Sequence, residues 1–191
     1  MGYDTEQKSQ INSELALLMP RLKAFAAALT GSEALSQTLL KATKSYTLSR
    51  AKERGHTPLA LWAFTQMYNL WATRMKPPRG ERGSQADARL FCPRSRAGDG
   101  TSAAVHLARV LAQLPPQFRG ALHLTYGERL SYDEVAEVFG TPVATISAWL
   151  AKAYAVLAEA EGREAPELAP EAMSPRARPG GAGQQRQGWA A

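Results

Sequence analysis

The sequence predicts an all-α protein of two small helical domains joined by a flexible linker, and three observations predict it. Apolar residues recur three and four positions apart in both halves. No run alternates in the two-residue rhythm of a strand. Proline, glycine and charge gather into two stretches that interrupt the apolar pattern. The 191 residues divide into helical units over 10–76 and 103–161, a basic Pro/Gly-rich linker over 77–102, and a tail over 162–191. The tail offers too little apolar surface to offset its chain entropy and reads as disordered, its Trp189 as incidental.

In the first unit, Leu15, Leu18, Met19, Leu22, Phe25, Ala26 and Leu29 share one helical face, with Asn12 or Ser13 as the expected cap and Gly31 as the exit. A second helix is expected over 32–51 with Leu35, Leu39 and Leu40 inward. A third opens at Thr57-Pro58 and stops before Pro77-Pro78, because proline disfavours the helical conformation of the residue before it. It carries Trp62, Phe64, Tyr68, Asn69 and Trp71, and an aromatic-rich helix of this kind is ordinarily core.

The second unit begins with an amphipathic stretch over 105–114, then Pro115-Pro116 and a helix to about Tyr126. Ser131 followed by Glu134 is a capping box, so a new helix starts there and runs through Val135, Ala136 and Val138 to Phe139. Gly140 tolerates the left-handed conformation of a helix exit, and Thr141-Pro142 starts the next helix. Ala136, four residues before the glycine, is small enough to let two helices cross. Ile146, six after it, is placed to pack the second helix onto the first. The pattern is that of a helix-turn-helix.

Composition narrows the chemistry. Cys92 is the only cysteine, and with His56, His106 and His123 it forms no cluster at metal-ligand spacing, so neither a disulfide, a metal nor another cofactor is expected. Neither a Gly-rich phosphate loop nor a nucleophile motif occurs, and the expectation is a protein that is not an enzyme and has no small-molecule substrate. No uninterrupted apolar run approaches the roughly 18 residues of a membrane span, and the start lacks the order of a signal peptide; a cytoplasmic protein without membrane contact is expected. The net charge of +6 admits a polyanionic partner.

Leu114-Pro115-Pro116-Gln117-Phe118-Arg119, followed by the run from Leu130 to Ile146, resembles region 4 of the extracytoplasmic-function group of sigma-70-type RNA polymerase sigma factors. Leu22 to Gly31, Thr38 to Ala42, and Leu61-Trp62-Ala63-Phe64 with Asn69 and Arg74 resemble the three helices of region 2 of the same group. The resemblance implies a stress-type transcription initiation factor that binds core RNA polymerase and promoter DNA and is held by an anti-sigma factor. By position, Gln37, Thr38, Lys41 and Lys44 would meet polymerase. Trp62, Asn69, Arg74 and Lys76 would meet the melted strand, and Thr145, Ser147, Trp149 and Lys152 would take the upstream element.

Two segments depart from the group's pattern. Gly31 to Gln37 is short and holds one acid, Glu33, and the recognition helix keeps Lys152 alone as a cation. Residues 104–162 carry four Lys/Arg against six Asp/Glu, a net −2, and few cations mean weak non-specific attraction to phosphate. That pattern leaves a second reading open: a sigma-like adaptor that binds an anti-sigma factor in place of polymerase or DNA, with Trp149 facing a protein groove.

Overall fold

The computed structural model describes residues 3–75, 87, 90–91 and 102–162. Lys76, Cys92, Trp189, most of the linker and the tail lie outside them. All regular structure among the described residues is helical. The order is α1 (Tyr3–Thr30), α2 (Glu33–Ser49), a 3-10 turn (Ala51–Arg54), α3 (Leu59–Arg74), α4 (Ser102–Gln113), α5 (Pro116–Leu122), a π turn (His123–Gly127), α6 (Tyr132–Phe139) and α7 (Val143–Ala160).

α1 starts well before the expected cap. Asn12 and Ser13 lie inside the helix, and the Ser13 hydroxyl donates back to the Ser9 carbonyl at 3.0 Å instead of capping. Pro20 also sits inside it, where it removes the bond to the Ala16 carbonyl, and both Ala16 and Pro20 are exposed. The helix ends as expected at Gly31, whose φ of 64° and N–H bond to the Ala27 carbonyl suit glycine. In α2 the buried stripe is Ser36, Leu39, Thr43 and Thr47, so Leu35 points out at 48% exposure, contrary to the sequence expectation. Leu35 and Ser36 are adjacent, and a turn of about 100° between neighbours sends one inward and the other out. Small side chains on that stripe let α2 lie against α1 and α3.

The helix-turn-helix forms as its local signals require. Ser131 Oγ accepts from the Glu134 N–H at 3.2 Å while Glu134 Oε2 accepts from the Ser131 N–H at 2.8 Å, closing the capping box. At the other end Gly140 is left-handed (φ 59°, ψ 40°), with Gly140 N–H to the Glu137 carbonyl and Thr141 N–H to the Ala136 carbonyl, a Schellman exit. Pro142, not Thr141, takes the N-cap of α7, and no side chain caps that helix. Ile146, Leu150 and Ala153 form its inward stripe, and His106 at the start of α4 ties to the Ala160 carbonyl at its end. By length and composition alone α7 passes as a membrane span, with a mean hydropathy of 1.2. It carries Lys152 and Glu159 and packs against α4, α5 and α6, and a single such helix is weak ground for a span.

The helices α1 to α3 and the helices α5 to α7 share one core. Phe25 and Phe64 of the bundle meet edge to face at 5.3 Å, and the same cluster takes in Val135, Phe139 and Ile146 of the helix-turn-helix. Phe139 is the hinge of that contact: its ring lies 4.6 Å from Tyr68, 5.4 Å from Trp149 and 6.4 Å from Phe25. α3 packs on α6 and α1 on α5. Gly120 makes the second crossing possible, since a Cβ there would stand 3.0 Å from the Phe139 ring and 3.1 Å from Leu29.

Candidate nucleic-acid interface

The candidate DNA residues divide sharply by exposure. On α7, Lys152 is exposed, Thr145 and Ser147 are half-buried, and the outward face is completed by Ala144, Ala148, Ala151 and Ala155. Trp149 is not an outward reader. Its ring packs edge to face on Phe139 and tilts over Phe118 at 6.2 Å, so it belongs to the aromatic core that seats the recognition helix. The reason is helical phase: Trp149 lies three residues from Ile146 and one from Leu150, at the edge of the buried stripe.

α3 shows the same division. Trp62 is buried at 9% exposure and offers no open stacking face, whereas Asn69 and Arg74 are exposed. Burial against Phe139 raises the Tyr68 hydroxyl pKa above its ordinary value. Lys76 lies outside the described residues. On α2, Gln37, Thr38, Lys41 and Lys44 are all exposed and fall on one side at spacings of one, three and three residues. Gln37 donates to Glu33 at 3.0 Å and Thr38 to the Ala34 carbonyl at 3.0 Å. No group of three metal-ligating side chains occurs among the described residues.

What fixes these faces relative to one another is a set of polar contacts that sequence reasoning missed. Arg119 is buried at 6% exposure and donates to the Ala28 carbonyl at the end of α1 and to the Leu114 carbonyl at the end of α4. Neither helix has a basic residue in its own last turn, so one guanidinium serves the negative ends of both. Its plane also lies 5.5 Å from the Phe91 ring, and burial lowers its pKa to about 10. Glu128, with its side chain 6% exposed, accepts from Arg21 and faces His123 Nε2 at 3.5 Å. Burial pushes its pKa up, but the contacts with His123 and Arg21 outweigh that and hold it below the usual carboxylate value. A sequence signal for Arg119 did exist: an arginine in the apolar run Pro116–Leu122 with no acid nearby.

Three tyrosines, Tyr126, Tyr132 and Tyr154, gather beside the π turn, with Tyr126 and Tyr154 edge to face at 5.7 Å. Desolvation and their mutual contacts raise all three, Tyr132 to about 12, so they stay protonated donors. They pin α7 to the loop before α6.

A capped first helix, a Schellman turn and a second helix with an exposed face define the class, a helix-turn-helix. Residues 105–157 match the family described as Sigma-70, region 4. No curated protein matches the sequence. Among solved structures the chain is similar to the sigma factor RpoE of Bartonella quintana, crystallised with the anti-sigma factor NepR. The TM-score is 0.61 at 21% identity, covering 78% of this chain and 95% of that one. The chain thus combines a segment that matches sigma-70 region 4 with an overall fold like that of the RpoE chain.

Proposed function

We propose that this protein is an extracytoplasmic-function-type sigma factor that directs core RNA polymerase to promoters in stress-type regulation. The single observation that carries the reading is the match of residues 105–157 to sigma-70 region 4, on a helix-turn-helix whose cap, turn and exposed second helix are all formed. Core polymerase is engaged through the open side of α2 around Gln37, Thr38, Lys41 and Lys44. Asn69 and Arg74 of α3, both exposed, meet the melted strand.

Lys152, Ser147 and Thr145 take the upstream element, with the alanine face of α7 against thymine methyls and sugar. With Lys152 as the cation of α7, DNA affinity of region 4 alone is low, and polymerase supplies the rest by holding both elements at once. An anti-sigma factor is the expected inhibitor, by likeness to the RpoE complex. Purified protein mixed with core polymerase tests the reading by co-elution and by promoter-specific transcripts at low salt. Absence of both overturns it.

A further inference from the structure

A cavity of about 330 Å³ lies where α1, α4, α5 and the residues Leu90 and Phe91 meet. Its walls are mostly apolar, with Leu90, Phe91, Leu111 and Leu122 among them, and two polar side chains reach it, Arg119 and His123. Arg119 is buried at 6% exposure, yet no carboxylate among the described residues pairs with it. Its Nε and Nη1 donate to the uncharged Ala28 and Leu114 carbonyls, which uses two of the five guanidinium N–H donors and leaves Nη2 without an acceptor among the described residues. The acid nearby in the chain, Glu128, is already held by Arg21 and His123. A buried cation without an anion is costly, and carbonyls at two helix ends offset it only in part. Ala24 at the rim is exposed, so the cavity opens to solvent.

We propose that this cavity is a binding site for a small amphipathic monocarboxylate, with its carboxylate on the open Nη edge of Arg119 and its ring or short chain against the apolar walls. The site stands independently of the sigma-factor reading. Its volume falls at the lower end of the range for small-molecule sites. Charge sets the class of ligand. Arg119 is the only Lys or Arg on the walls, so the cavity neutralises one negative charge, and a phosphate dianion would keep a second charge in an apolar setting. A neutral molecule would leave the guanidinium as it is. A planar carboxylate also matches the paired donors of the guanidinium fork. The Phe91 ring, with its centroid 5.5 Å from the guanidinium carbon, gives the ligand's apolar part an aromatic neighbour beside the charge.

The test titrates the full chain with sodium benzoate and sodium hexanoate by calorimetry, with benzamide as the neutral match of benzoate and inorganic phosphate as the second anion. One-to-one binding of at least one acid is expected, with a Kd of about 0.1–1 mM for ligands of this size. Benzamide and phosphate are expected to bind about tenfold more weakly, the difference between a charge-assisted bond and a neutral or poorly neutralised one. Leu111→Trp fills the cavity, and Phe91→Glu places a carboxylate of the chain's own beside Arg119. Each is expected to weaken binding of the acid about tenfold or more, with helicity by circular dichroism as the folding check. Should a variant unfold, the contrast of acid and benzamide on the parent chain decides. No saturable binding of either acid below about 10 mM, or undiminished binding by either folded variant, overturns the site. Benzamide or phosphate bound as tightly as the acids overturns the ligand class and the part given to Arg119.

Discussion

The Arg119 guanidinium donates from Nε to the Ala28 carbonyl at 2.7 Å, joining residues 91 positions apart. It places a cation at the end of a helix that has none of its own, and a second bond reaches the Leu114 carbonyl. Removing it orphans two carbonyls at once. Arg119→Ala is therefore expected to cost about 3 kcal/mol in chemical denaturation, from two charge-assisted bonds and their buried acceptors. Arg119→Lys keeps the charge but not the fork that spans two acceptors, and a loss of about 1–2 kcal/mol is expected. A change under a few tenths in both variants means that the guanidinium is not what joins the helices.

Glycine to alanine inside a helix ordinarily stabilises by about 1 kcal/mol. At Gly120 the sign reverses, because the added methyl meets Phe139 at 3.0 Å, Leu29 at 3.1 Å and Phe25 at 3.3 Å. Gly120→Ala is expected to lower stability by about 1–3 kcal/mol, the usual range for overpacking. Equal or greater stability in urea titration contradicts the close crossing of α5 over α1.

On α7, the two candidate readers part company. On the proposed promoter reading, Lys152→Ala is expected to lower the slope of log affinity against log salt for promoter DNA by about 0.9. Trp149→Ala acts on the fold instead. Its ring packs on Phe139 and Phe118, and a loss of about 2 kcal/mol is expected for this half-buried aromatic. A Trp149→Ala chain with unchanged melting behaviour places the ring outside the core.

The capping box sets the start of α6. Ser131→Ala removes the hydroxyl that accepts from the Glu134 N–H and donates to its carboxylate, and about 1 kcal/mol of stability goes with it. Hydrogen exchange of the first turn of α6 reads the effect locally.

Glu128 gives the folded body a dependence on acid. Its folded pKa is depressed, so it binds protons less readily folded than unfolded. The stability it contributes is present above the unfolded carboxylate value of about 4.3 and is lost as pH falls through the lower folded value. Stability measured from pH 6 down to pH 3 is expected to fall less steeply in Glu128→Gln than in the parent chain. Parallel curves refute the depressed value.

Sequence alone determined the helices and the motif. The periodicity of Leu15, Leu22 and Leu29, the Ser131/Glu134 box and Gly140 act within a turn or two of themselves, so local backbone bonding is enough to read them. The same locality explains the small errors, where Leu35 and Trp149 sit one residue from a buried stripe and their phase was settled by the neighbours that arrived. Tertiary structure decided the rest: that Trp62 is core, that Phe139 enters the bundle, and that Arg21, Phe25 and Ala28 line up against Glu128, His123 and Arg119. Those pairs lie about ninety residues or more apart, and nothing periodic marks them. Their partners are fixed only when burial leaves a charge or a ring one place to go.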